Sequence, residues 1–126
     1  MKEVCRLVIP VDINLANPNR IGSLHWSKQR KIKSDLALVA RSVWTKAGRP
    51  RANGQVSISV IIRRARRLDE DNAWSSLKSC IDAIFNDGIT PNDSPKWVTL
   101  NHPLHQDISP SYKGKESVEF LVWLVS

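Results

Sequence analysis

An α+β domain, with two helices packed on one face of a small mixed β-sheet, is the architecture that this 126-residue sequence predicts. Three stretches carry the prediction. Gln55–Arg64 alternates with a period of two, Val56, Ile58, Val60 and Ile62 against Ser57 and Ser59, as a half-buried strand does. Ser27–Ala47 places Ile32, Leu36, Val39, Val43 and Ala47 at three- and four-residue intervals, the stripe of an amphipathic helix. Asn72–Asn86 does the same with Trp74, Leu77, Ile81, Ile84 and Phe85.

The remaining elements follow in order. Leu7–Ile13 is β-rich with Pro10 inside it, so it is an edge strand or a strand that ends at Pro10. Asn14–Gly22 is turn chemistry throughout. The first helix stops at Gly48 and Arg49–Pro50, the second at Asp87–Gly88, with Pro91 preventing continuation. Lys96–Leu100 reads as a short strand, Asn101–Gly114 as a loop and Ser117–Val125 as the last strand. The expected order is therefore β-α-β-α-β-β, in one domain covering 1–126.

Composition is that of a globular protein, 41% hydrophobic and 25% charged. No apolar run approaches the roughly 18 residues of a membrane span, and no leader pattern opens the chain, so residence in the cytoplasm is expected. Cys5 and Cys80 form no CxxC pair and are expected to be reduced, structural thiols.

Charge is uneven. Residues 1–67 hold 15 Lys and Arg against 3 acids, whereas residues 68–126 hold 4 against 9, within a net charge of +7. A basic first half suits a polyanion, because each cation set on a phosphate releases condensed counterions. Lys28, Arg30, Lys31 and Lys33 crowd the start of the first helix, and Arg63, Arg64, Arg66 and Arg67 the end of the central strand. Both groups are expected DNA contacts; the bland alternative is a solvated basic surface.

Against that background Leu68–Asp69–Glu70–Asp71–Asn72 stands out. If the chain is still extended there, Asp69 and Asp71 share a face and offer hard oxygens to a magnesium ion. Asp71 could instead cap the following helix. Asp71, Ser75, Lys78 and Asp82 fall on one polar helix face, where Lys78 and Asp82 would otherwise be a plain surface ion pair. Asp93 follows the Asp87–Gly88 turn, and a chain reversal there could return it toward Asp69 and Asp71.

The segments Arg66–Arg67–Leu68–Asp69–Glu70–Asp71–Asn72, Leu77–Lys78 through Asp82–Ala83–Ile84, Gly88–Ile89 and Asn92–Asp93 resemble the central signature of the RusA-type Holliday junction resolvases. The match covers about 28 residues directly, and its joint spacing is more specific than any one piece. What the resemblance implies is a homodimeric, magnesium-dependent endodeoxyribonuclease, with Mn²⁺ as a substitute ion. Such an enzyme binds four-way DNA junctions and nicks two opposing strands in recombination and repair. Asp69, Asp71 and Asp93 then match the essential, metal-holding acids and Lys78 the essential lysine. The chain departs from the family pattern twice: Asp71 and Lys78 are about three residues further apart, and Asn92 stands where an acid is usual. By family analogy alone, such enzymes occur in phages and prophages.

Two other readings stay open, a non-catalytic branched-DNA-binding relative and an unrelated basic interaction domain. His102 and His105 have no cysteine partners nearby and fall short of a zinc site. His25 is a DNA contact or a packing residue. Trp44, Trp74 and Trp123 are expected in the core or a dimer interface, and Trp26 and Trp97 in packing rather than base stacking.

Overall fold

The computed structural model describes residues 2–10, 26–101 and 104–125. It contains a mixed sheet of five strands and three α-helices. The elements are β1 (Lys2–Pro10), α1 (Trp26–Lys46), β2 (Val56–Arg64), α2 (Glu70–Ser76), α3 (Lys78–Phe85), β3 (Val98–Leu100), β4 (His105–Ile108), a 3₁₀ turn (Pro110–Tyr112) and β5 (Ser117–Leu124). The α+β class holds; the expected element order does not. The expected second helix is two, divided at Leu77, and the expected Asn101–Gly114 loop contains a strand and the 3₁₀ turn.

β2 is the axis of the sheet. On one side it pairs antiparallel with β5, from Val56↔Leu124 to Arg63↔Ser117, and β5 pairs antiparallel with β1, from Lys2↔Leu124 to Pro10↔Ser117. On its other side β2 pairs parallel with two short strands in succession, β3 against Val56–Ile58 and β4 against Ile61–Arg64. Asn101 bridges the gap between them. Its N–H donates to the Ile58 carbonyl (2.9 Å), its side-chain amide donates to Ser59 Oγ (2.9 Å), and its side-chain oxygen accepts from Ser57 Oγ (3.0 Å).

One side of each long strand faces the helices. Leu7 and Ile9, Val56, Ile58, Val60 and Ile62, and Val118, Phe120 and Val122 are all buried. They form one cluster with Ala40 and Trp44 of α1, Ala73 of α2, Leu77, and Cys80, Ile81, Ile84 and Phe85 of α3. Twenty-one residues of α1 carry only two buried side chains, Ala40 and Trp44, so this helix docks through a narrow seam. The opposite side of the sheet is polar at its centre: Glu119 is buried between Arg63 (2.9 Å) and Arg6 (3.5 Å).

After α3 the chain reverses tightly. Ile89 N–H returns to the Ile84 carbonyl (2.8 Å), Asp87 adopts φ 51°, and Arg41 caps the helix end by donating to the carbonyls of Ala83 (2.9 Å) and Asp87 (3.0 Å). Gly88 is required here by space, since a Cβ would run into the Ile84 carbonyl group. Gly88→Ala is expected to cost about 1–3 kcal/mol, read as a lower urea midpoint at unchanged slope.

Both cysteines are free thiols, and burial pushes the pKa of Cys5 up to about 11 and of Cys80 up to about 12. Neither is poised for nucleophilic or redox work. Among the described residues, no helix is long and apolar enough to cross a membrane.

Candidate active site

The acidic segment is held in place by an amide. Gln106, on β4, accepts from the Leu68 N–H (2.8 Å) and donates to the Leu68 carbonyl (2.8 Å), pairing the chain after β2 as a sheet neighbour would. The helix then begins at once. Asp69 is the N-cap of α2 (φ −61°, ψ 145°), and its carbonyl accepts the first helical bond from Ala73 N–H (2.8 Å). Its side chain makes no capping hydrogen bond, so the carboxylate is not spent there.

The extended-chain premise therefore fails at Glu70 and Asp71, which lie inside α2. Two residues along a helix turn through about 200°, so Asp69 and Asp71 do not share a face as they would on a strand. The N-cap position also falls to Asp69 rather than Asp71. Glu70 between them turns inward: its Oε1 accepts from Trp74 Nε1 (2.9 Å) and from Leu104 N–H (3.0 Å), an amide left over by the break between β3 and β4.

The second half of the site forms around α3. A cleft of about 590 Å³ is lined by Trp74, Ser75, Lys78, Ile81 and Asp82 from the helices, and by Asp93, Pro95 and β3 opposite. The reversal after α3 delivers Asp93. Its N–H donates to Asn86 Oδ1 (3.0 Å), Asn92 Oδ1 accepts from Ser94 N–H (3.0 Å), and Thr90 Oγ1 lies 2.8 Å from the carbonyls of Phe85 and Asn92. Asn92 is thus a turn-forming residue. Asp93 comes back to Asp82.

Asp82 reads from sequence alone as half of a surface ion pair with Lys78. Its carboxyl pKa is raised above the ordinary 3.8, first by burial, then by a hydrogen bond with Asp93 and by that group's charge, while the Lys78 ammonium pulls it down. Among the described residues, no ion pair joins Lys78 to Asp82 within 4.0 Å, whereas Lys31 and Asp35, at the same spacing on α1, do pair (3.1 Å). Two interacting carboxyls, with a lysine beside them in one cleft, are not explained by helix stability. The signal for Asp82 was its place on the Asp71–Ser75–Lys78 face.

A raised carboxyl pKa has a definite sign in stability. The folded chain binds the Asp82 proton more tightly than the unfolded chain, so stability falls as pH rises from 3.8 through the raised value. Asp82→Asn removes that penalty and keeps a donor toward Asp93. Its melting temperature is expected to exceed the wild-type value at neutral pH, with the gap closing as pH falls below about 4. A gap that widens on acidification would contradict this electrostatic picture.

The sequence-predicted cations separate by burial. Arg66, Arg67, Lys28, Arg30, Lys31 and Lys33 are exposed. Arg64 is buried at 4% exposure, and Arg63 is engaged by Glu119 (2.9 Å) and Asp107 (3.7 Å), which itself accepts from Tyr112 Oη (2.8 Å). At this end of β2 the exposed cations are therefore Arg66 and Arg67. Trp44 is core, as expected; Trp74 is only partly buried against the core and lines the cleft, and Trp26 is 59% exposed. His25 and His102 lie outside the described residues; His105 is exposed on β4.

Among the described residues, no three His, Cys, Asp or Glu side chains are gathered as a metal-holding group, so Asp69, Asp71 and Asp93 do not form the expected set of three. The donors that do meet are Asp82 and Asp93. Magnesium is commonly held by one or two carboxylates, with waters and substrate phosphates completing its octahedron, and this pair fits that demand. Asp71 stands one turn before Ser75 of the cleft lining.

Compared with known protein-family models, curated proteins and solved structures, the chain matches none.

Proposed function

We propose that this protein is a magnesium-dependent endodeoxyribonuclease of the RusA type, acting on four-way DNA junctions as a homodimer. The observation that carries the proposal is the meeting of Asp82, Asp93 and Lys78 in one cleft, on a chain with a surplus of seven positive charges.

Bound magnesium would lower the pKa of a coordinated water and polarise the phosphoryl group. The chain's own residues do the rest. Asp82 and Asp93 would hold the ion, and Asp71, one turn before Ser75 of the cleft lining, and Asp69, whose carboxylate makes no capping hydrogen bond, would add negative charge to the same acidic segment. Lys78 faces the same space and offsets charge developing on the phosphoryl oxygens. Gln106 and Glu70 keep the acidic segment on β4, so that the two arms of the site cannot drift apart. Arg66 and Arg67 place the DNA backbone without reading sequence.

The test is a synthetic four-way junction incubated with the protein and Mg²⁺, with linear duplex of the same sequence as control. Paired nicks in opposing strands, lost in EDTA and restored by Mn²⁺, are expected. Binding that is indifferent to salt, or the absence of junction preference, would defeat the proposal, since phosphate contacts make affinity fall steeply with ionic strength. Binding without nicking in any divalent ion would favour the non-catalytic branched-DNA-binding reading that the shifted Lys78 keeps open.

A further inference from the structure

The first turns of α1 set an exposed indole among cations. Trp26 is 59% exposed, and the Arg30 guanidinium lies 4.6 Å from its ring centroid. At about 100° per residue, Trp26, Arg30, Lys33, Ser34, Ala37 and Arg41 share one face of the helix. The later part of that face borders α3: Ser34, Ala37 and Arg41 line a groove with Asp82, Ala83 and Asn86. Asp82 also lines the cleft, so the face runs from Trp26 to the wall behind the acid pair.

The charge of α1 selects the occupant. The helix carries six Lys and Arg against a single acid, Asp35, which Lys31 already neutralises at 3.1 Å. A polyanion satisfies those cations, and an exposed indole adds a flat apolar surface that takes the face of a base. An acidic peptide would use the cations and give the ring nothing to stack on. Continuous duplex buries its base faces in its own stack. The chemistry shared by both features is a DNA strand with an unpaired or unstacked base.

We propose that Trp26, with Arg30 and Lys33, is a stacking site for an unstacked branch-point nucleotide, holding the strand that leads along α1 to the cleft. This rests on the nucleic-acid part of the function proposed above and is independent of hydrolysis.

The experiment measures binding without cleavage, in EDTA, by anisotropy of a labelled four-way junction and by fluorescence of 2-aminopurine placed at its branch point. Trp26→Ala is expected to weaken junction binding about tenfold while leaving linear-duplex binding and the melting temperature unchanged. It should also abolish most of the 2-aminopurine quenching, and Trp26→Phe should restore most of both signals. Arg66→Glu combined with Arg67→Glu serves as the comparison. Wild-type affinity in Trp26→Ala alongside a loss in the double variant overturns the stacking site and leaves the DNA reading intact. A wild-type protein with no affinity for the junction overturns both.

Discussion

Asp93→Asn is expected to reduce junction nicking by about 10³-fold or more while leaving junction binding in EDTA intact or slightly tighter. The carboxylate is one of two that meet in the cleft, and its Asn replacement keeps shape and hydrogen bonding while losing the charge that attracts a cation. The backbone there is fixed by Asn86, Asn92 and Thr90, so a refolded loop is not the expected cause of the loss. Removing a negative charge lessens repulsion of a phosphate, and that separates a chemical defect from a binding defect. Lys78→Ala should behave alike in nicking, by about 10²–10³-fold, because in the proposed role it removes stabilisation of developing charge rather than an affinity contact. A second readout distinguishes the two: Mg²⁺ should raise the melting temperature of wild type and Lys78→Ala, but not of Asp93→Asn. Nicking that survives Asp93→Asn would remove the cleft from consideration as the active site.

β2 was legible because both its faces have a simple pattern, apolar toward the helices and serine toward Asn101. The ends of α1 were legible to within one residue, since Gly48 takes φ 93° as a helix stop often does. β4 was not. His105–Ile108 carries no alternation and becomes a strand only because Ile61–Arg64 offers it a free parallel edge. The division at Leu77 also leaves no mark, since Leu77 is a good helix former and keeps the apolar stripe across the break. β1 begins five residues earlier than its apolar run, because pairing with β5 carries Lys2, Glu3 and Arg6 into the strand.

The site followed the same division. Residue types and local register were readable: Lys78 and Asp93 stood out by spacing, and Asp82 by its place on the Lys78 face, though only as an ion-pair partner. Which carboxylates meet was not, because that depends on the direction of the reversal after α3, which is set by Arg41 from a different helix and by the room at Gly88. Gln106 was invisible for a related reason. Its two bonds to Leu68 span 38 residues, and nothing in its neighbourhood hints at them.

Trp44→Ala is expected to produce the largest stability loss of any single change considered, about 3–5 kcal/mol against a total that is ordinarily about 5–15 kcal/mol. The indole is 1% exposed, and with Ala40 it is all that α1 fully buries, so little else holds that helix to the sheet. Its Nε1 donates to the Pro50 carbonyl (2.9 Å), tying the helix to the segment that leads into β2. Arg41 lies 4.5 Å from the ring centroid while capping α3, so the same side chain steadies the helix end next to Asp82 and Asp93. Two consequences separate this residue from an ordinary core position. Trp44→Phe, which keeps most of the apolar contact but loses the donor, should cost less than Trp44→Ala. Nicking at a temperature where Trp44→Ala is still folded should fall, because the Arg41 cap loses its platform and the acid pair loses its fixed spacing. A Trp44→Ala protein within about 1 kcal/mol of wild type in urea would mean that α1 is not anchored by this seam. The cation-bearing helix would then be free to move relative to the cleft it is proposed to serve.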